Sequence, residues 1–189
     1  MGKTEPTSDF EQKLIYNCKN RSSIQAKEAL YKHYYSYAMS ISLRYAYSKN
    51  EAVMIVNDSF MKVFDNIRTY DETYSFKGWL RRIVIHTAID KYRRNKTHFD
   101  KTESVPIGNI PSNYEEAISK LTVEDIMSLL NELSDIQRLI FNLKEIEGYS
   151  HEEISKKLEI AVGTSRSYLF RAKAKLRELF KIKFETSHE

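Results

Sequence analysis

The chain has 189 residues, of which 41% are apolar and 30% charged, and carries a formal net charge of +4. That is room for one ordinary domain or two small ones with filled cores, which excludes a disordered chain. Cys18 is the only cysteine, which excludes an internal disulfide framework and a multi-cysteine metal site.

No apolar run approaches the roughly eighteen residues of a membrane span. The opening MGKTEPTSDFEQ has no secretory apolar stretch, so a reducing, cytoplasmic location is expected. With five Gly, three Pro and apolar residues at helical rather than alternating spacing, the predicted fold class is all-α.

The first predicted helix runs from Ile24 to Tyr47, with Leu30, Tyr34, Tyr37, Ile41 and Tyr45 at helical steps and Ser22 or Ser23 as its cap. A second, from about Glu51 to Ile67, carries Val56, Phe60, Val63, Phe64 and Ile67 on one face. The polar stretch Thr69 to Ser75 breaks the pattern. A third helix, about Lys77 to Arg94, lines up Leu80, Ile83, Val84 and Ala88, with Ile85, Ile89 and Tyr92 widening the stripe. These three form one predicted core.

Between about Asn95 and Lys120 the periodicity fades in a stretch rich in Ser, Thr, Asn and Gly that holds Pro106 and Pro111, a linker by composition. The predicted division is therefore a domain over 10–95, a flexible linker over 96–120 and a second domain over 121–183. The second domain begins with a helix bearing Val123, Ile126, Met127, Leu130 and Leu133. Ser134 with Gln137 is a capping box for the next, which carries Ile136, Leu139, Ile140 and Leu143 and stops near Gly148.

Ser150 with Glu153 makes a further capping box, so a short helix begins at His151 with Ile154 and Leu158 turned inward. After Glu159 to Ala161 a longer helix keeps Val162, Leu169, Ala172, Leu176 and Phe180 on one face. A short helix, a tight turn and a longer helix are the layout of a helix-turn-helix. From Val162 to Lys183 there are seven basic residues against Glu178 alone, so the opposite charges of an ordinary solvated helix are nearly missing. Such a helix suits a DNA major groove, its early residues on base edges and later basic ones on phosphates.

The same imbalance marks the first domain, where Lys77, Arg81, Arg82, Lys91, Arg93, Arg94 and Lys96 face a single acid, Asp90. The loop before that helix holds Tyr70, Tyr74 and Phe76. Aromatic side chains beside basic ones suit the unstacked bases of a single strand. Trp79, between Gly78 and Leu80, is read as core, leaving Tyr70 and Tyr74 as the better candidates for base contact.

At this point the residues resemble a known family. LSDIQRLIFNLKEIEGYSHEEISKKLEIAVGTSRSYLFRAKAKLREL, from Leu133 to Leu179, resembles region 4 of the sigma-70 family in its L-x-x-x-Q-R opening, its G-x-S-x-E-E-I helix and its G-T-x-x-S-x-x-x-R-A-K helix. VNDSFMKVF and FKGWLRRIVIHTAIDKYRR are similar to region 2. With only these two regions present, the chain resembles an extracytoplasmic-function sigma factor over nearly everything from Leu30 to Phe180.

The resemblance implies two helical domains and a division of labour. Val56, Asn57, Asp58, Phe60, Met61 and Phe64 are expected at the clamp helices of the polymerase large subunit. Tyr70, Tyr74 and Phe76, with Arg81, Arg82, His86, Lys91, Arg93 and Arg94, are expected to recognise and open the −10 promoter element. Arg166, Ser167 and Arg171, with Lys173 and Lys175, are expected at the −35 element. The linker would thread towards the polymerase active-site cleft. Implied partners are core polymerase, promoter DNA and an anti-sigma factor, with no small-molecule substrate, cofactor, metal or catalytic residue.

The sequence also departs from the family pattern. Ala52, Val53 and Met54 stand where an acidic start to the docking helix is usual, and Asn57 and Asp58 replace Gln and Glu. His86 replaces a common Asn. Ala161 stands where a Ser would cap the recognition helix, a loss of about 1 kcal/mol. Ser165 replaces a common apolar residue, which is expected to thin the helix-turn-helix core.

Two rival readings differ in what they explain. A helix-turn-helix regulator with no polymerase role accounts for the second half only. A zinc protease motif begins at His151 and Glu152, but Ser155 occupies the place of the second ligand. No Gly-rich phosphate loop or nucleophile constellation accompanies it, so no catalysis is expected.

Overall fold

The structure is a computed structural model that describes residues 8–21, 23–96 and 122–182. Among them every regular element is helical: α1 (Asp9–Arg21), α2 (Ile24–Tyr45), α3 (Lys49–Asn66), a 3₁₀ turn (Ile67–Thr69), α4 (Phe76–Lys96), α5 (Val123–Asn131), α6 (Asp135–Phe141), α7 (His151–Leu158) and α8 (Val162–Phe180). A π turn, Asn142–Ile146, closes α6. The chain separates into two compact units, residues 1–91 and 92–189. Most of the expected linker, from residue 97 on, lies outside the described residues.

In the first unit, local chemistry sets the helix starts. Ser23 accepts the Ala26 amide ahead of α2, and Ser48 accepts the Glu51 amide ahead of α3, which begins two residues earlier than the periodicity predicts. Leu30, Tyr34 and Ile41 of α2, Ile55, Val56 and Phe60 of α3, and Leu80, Val84 and Ile85 of α4 are all buried. Fully burying a side chain of this size contributes about 1.5–3 kcal/mol. Ser42, Ser59 and Thr87 are buried as well, and each hydroxyl donates to the carbonyl four residues earlier, so these three hydroxyls are matched within their own helices. The unread element is α1, whose thin apolar stripe of Ile15 and Cys18 is buried. Burial pushes the Cys18 thiol pKa up.

The second unit is built on two motifs of the sequence. Leu130, Leu133 and Ala172 form a core cluster with Met127, Phe141 and Leu176. Gln137 accepts the Ser134 amide as the capping box predicts. Arg138, only 2% exposed, donates from Nε to the Leu130 carbonyl at 2.8 Å and from Nη2 to Asn131 Oδ1 at 2.6 Å. Arg138 thus ties α6 to the end of α5. Gly148 has φ of 77°, the left-handed conformation that admits glycine without strain.

Candidate nucleic-acid interfaces

The helix-turn-helix is assembled by hydrogen bonds within its own turn. Ser150 accepts the Glu153 amide and Glu153 accepts the Ser150 amide, fixing the start of α7. Glu159 ends α7 with φ of 55°, a strained position for a residue with a side chain. Ser155, at the place where a zinc site would need its second ligand, donates to the Ile160 carbonyl at 2.6 Å, and the Ile160 amide donates back to the Ser155 carbonyl. Ala161 precedes α8 without a side-chain cap, as expected.

Ser165 is fully buried, and its hydroxyl has a partner. Its Oγ lies 2.9 Å from Nδ1 of His151, the first residue of α7. The neighbouring pair, Glu152 and Arg166, stands 3.7 Å apart. Burial pushes the His151 imidazole pKa down, and Lys144 and Arg166 push it further, against the opposite pull of Glu152 and Glu145. A neutral ring beside a buried hydroxyl is the state this site favours.

The expected −35 residues take up different positions. Arg166 is exposed, Ser167 half-buried, and Arg171 half-buried with its guanidinium over the Tyr168 ring. Lys173 pairs with Glu145 at 2.9 Å and Lys175 donates to the Glu132 carbonyl, so both hold α8 against earlier segments of the unit. The sequence reading passed over Gly163, Thr164 and Phe170. All three are exposed, and the spacing of three and four puts Gly163 and Phe170 on one face with Arg166. They were identifiable as the positions left over by the apolar stripe of Leu169, Ala172 and Leu176.

In the first unit the structure separates the aromatic rings. Tyr70 is 4% exposed and Phe76 1%, whereas Tyr74 is 63% exposed. Tyr70 and Phe76, expected at a base-holding surface, are interior because they pack on one another and on half-buried Trp79, with centroids 5.1–5.5 Å apart. Tyr74 is the loop ring left facing outward. Its backbone is held by the Tyr70 hydroxyl, which donates to the Tyr74 carbonyl, and by its own amide, which donates to the Asp71 carbonyl at 3.2 Å. Asp71 accepts the amide and hydroxyl of Thr73, and these bonds hold its carboxyl below the usual range.

Along α4, Arg82, His86, Arg93 and Arg94 are exposed and Arg81 is half-buried. Lys91 is drawn in towards Glu51 at 3.5 Å. Asp90, the lone acid of this helix, pairs with Lys62 of α3 at 2.8 Å. Its charge is therefore turned to the scaffold, while Arg93 pairs with Glu159.

The expected docking face on α3 divides in the same way. Val56 and Phe60 are interior, since the helix buries that stripe under α2. Asn57, Asp58 and Met61 are exposed, with Met54 one turn earlier, and Phe64 is half-buried under the Lys27 ammonium. Asn57 Oδ1 accepts the Tyr31 hydroxyl at 2.9 Å. Among the described residues no cluster of His, Cys, Asp and Glu is arranged to hold a metal ion, and no helix is long and apolar enough to cross a membrane.

Both helical parts of the chain match a known family. Residues 30–98 match sigma-70 region 2 and residues 123–176 match sigma-70 region 4. The ECF RNA polymerase sigma-E factor of Haemophilus influenzae is 27% identical over 165 residues, covering 79% of this chain and 84% of that protein. RNA polymerase sigma factor NccH of Alcaligenes xylosoxydans xylosoxydans is 30% identical over 131 residues, 66% of this chain and 70% of its own. A solved structure of the sigma factor RpoE in complex with the anti-sigma factor NepR from Bartonella quintana aligns with a TM-score of 0.48 at 22% identity, over 85% of this chain and 99% of that one. With both conserved regions matched in order along one chain, this protein belongs to the sigma-70 family of RNA polymerase sigma factors, in its extracytoplasmic-function group.

Proposed function

We propose that each unit of this sigma factor carries one half of promoter recognition through the residues its fold leaves outward. As a sigma factor, the protein directs core RNA polymerase to promoters and starts transcription there. Tyr74 of the first unit stacks on an unstacked base of the −10 element while Arg82 and His86, with Arg93 and Arg94 further along α4, follow the strand's phosphates. In the second, Arg166 and Ser167 read base edges of the −35 element, with Arg171 alongside. The outward face of α3, Asn57, Asp58 and Met61, docks on the polymerase. The boundaries 10–95, 96–120 and 121–183 are the matching domain assignment.

The observation that carries this reading is the sorting of rings in the loop before α4. Tyr70 and Phe76 are spent on the core, and a third ring, Tyr74, is held outward on a hydrogen-bonded turn. A helix-turn-helix regulator acting on closed duplex gains nothing from such a ring, and it leaves the region 2 match unexplained. Family membership also brings the expectation of an anti-sigma partner, which capture of the tagged chain from uninduced cells would reveal. The test of function is run-off transcription with core polymerase and genomic DNA, read together with permanganate-reactive thymines near the start site. Discrete transcripts that depend on Tyr74 support the reading, and reactive thymines appearing on no bound promoter would refute it.

A further inference from the structure

The region 2 match begins at residue 30, so α1 precedes it. Yet α1 reaches the base-capture loop at both of its ends. Near the end of α1, Lys19 Nζ donates to the Tyr70 carbonyl at 3.1 Å and pairs with Glu72 Oε1 at 2.9 Å. Near its start, Glu11 Oε1 stands 3.7 Å from Lys77 Nζ and 3.2 Å from His33 Nε2. Burial raises the Glu11 pKa, but bonding to His33 and to the Ser8 amide, with the Lys77 charge, outweighs it and leaves the carboxyl below its usual range. A cation lies under the acidic start of the loop and an acid under its basic end.

The two anchor points are eight residues apart on one helix, about 12 Å at 1.5 Å per residue. The loop from Tyr70 to Lys77, stretched out, would span about 23 Å. Between these anchors its backbone doubles back through the Asp71 turn that carries Tyr74. The charges matter as much as the shape. Asp71 and Glu72 are exposed carboxylates on a loop that meets a polyanion. Lys19 neutralises one of them directly and lies close enough to Asp71 to favour its ionised form.

We infer that α1 is a brace for the base-capture loop, in which Lys19 is a positioning residue that holds the Tyr70 to Tyr74 turn ready for a base and screens Glu72 from the DNA phosphates. This rests on the proposed role of Tyr74. Lys19 touches no DNA and acts through the Tyr70 carbonyl and Glu72. Holding the turn in place before capture removes an ordering cost that would otherwise fall on promoter opening. α1 itself is seated by Ile15 and Cys18, which are buried independently of Lys19.

The experiment uses the full chain with core polymerase and compares wild type with Lys19→Met, Lys19→Arg and Lys19→Met/Glu72→Gln. Open complexes are counted by permanganate reactivity on duplex promoter and on a template with a pre-melted −10 bubble, beside polymerase affinity and thermal melting. Lys19→Met is expected to lower opening on duplex about two- to five-fold, the range open to a partly exposed ion pair with one charge-assisted hydrogen bond. Lys19→Arg restores most of it, Glu72→Gln recovers part of it, and the pre-melted template shrinks the defect, all at unchanged polymerase affinity. The brace is overturned if Lys19→Met opens duplex promoters like wild type. It is equally overturned if polymerase affinity falls in step with opening and neither companion change recovers it. Wild type that opens no promoter refutes the role of Tyr74 instead, so the two failures are distinguishable.

Discussion

Nδ1 of His151 lies 2.9 Å from Oγ of Ser165, joining the first residue of α7 to a buried position in the first turns of α8. The contact sets the two helices of the helix-turn-helix in register one residue before Arg166. Because the imidazole pKa is lowered in the folded state, chiefly by burial, the unfolded chain takes up the proton first as pH falls. The contribution of this site is therefore complete above the ordinary imidazole value of about 6.5 and is lost as pH drops below it towards the depressed folded value. An NMR titration of the full chain should place the His151 ring below the ordinary imidazole value of about 6.5. His151→Asn, which keeps an atom near the Nδ1 position, should flatten the fall in stability between pH 7 and pH 5.

Tyr70 and Tyr74 lie four residues apart and should fail in different ways. Tyr70→Ala empties a ring site in the core and removes the bond to the Tyr74 carbonyl, at a cost of about 3–5 kcal/mol read as lowered melting temperature. Tyr74→Ala leaves the melting temperature nearly unchanged and lowers permanganate reactivity, by an amount matching the loss of about 1–3 kcal/mol of base stacking. Equal effects of the two changes on melting temperature would contradict the sorting of these rings.

Arg166 and Lys173 are both basic residues of α8, but Arg166 is exposed and stands 3.7 Å from Glu152, whereas Lys173 is half-buried and held at 2.9 Å by Glu145. Arg166→Ala should cost about 1–3 kcal/mol against the preferred −35 duplex and relax discrimination at one position. Lys173→Ala, whose ammonium is 2.9 Å from Glu145, should mainly lower stability, by about 0–1 kcal/mol, with the −35 preference intact. Binding to a panel of −35 variants, beside thermal melts, separates the two.

Gly163 sits in the first turn of α8, and a Cβ built there meets nothing within 4 Å. In the free protein Gly163→Ala should therefore stabilise by about 0.4–1 kcal/mol, through loss of backbone freedom in the unfolded chain. If the helix start approaches a phosphate closely, the same change weakens −35 duplex binding in spite of the gain. A melt that rises while affinity stays constant would mean that DNA keeps its distance from this turn.

Limited proteolysis addresses the division of the chain. Cuts within 96–120 should precede any within α3 and leave two folded fragments, as judged by their retained helical circular dichroism. Cleavage inside α3 at a comparable rate would contradict the assigned boundaries.

The sequence by itself determined what depends on neighbours a few residues away. Helices announced themselves by apolar spacing and by Ser23, Ser134 and Ser150 as caps, and the helix-turn-helix by the short distance between two such patterns. α1 escaped notice because its buried stripe is little more than Ile15 and Cys18, too thin to stand out as a period. Tertiary structure decided which of the right residue types are available. Tyr70, Tyr74 and Phe76 are alike as aromatic loop residues, and burial against Trp79 and Phe76 alone separates Tyr70 from Tyr74. Lys77, Lys91, Lys173 and Lys175 look alike as basic helix residues until Glu11, Glu51, Glu145 and the Glu132 carbonyl come within reach. Caps and stripes are local and written in order along the chain. Charge pairing and ring burial join positions tens of residues apart, and only folding brings those groups within the few ångströms over which they act.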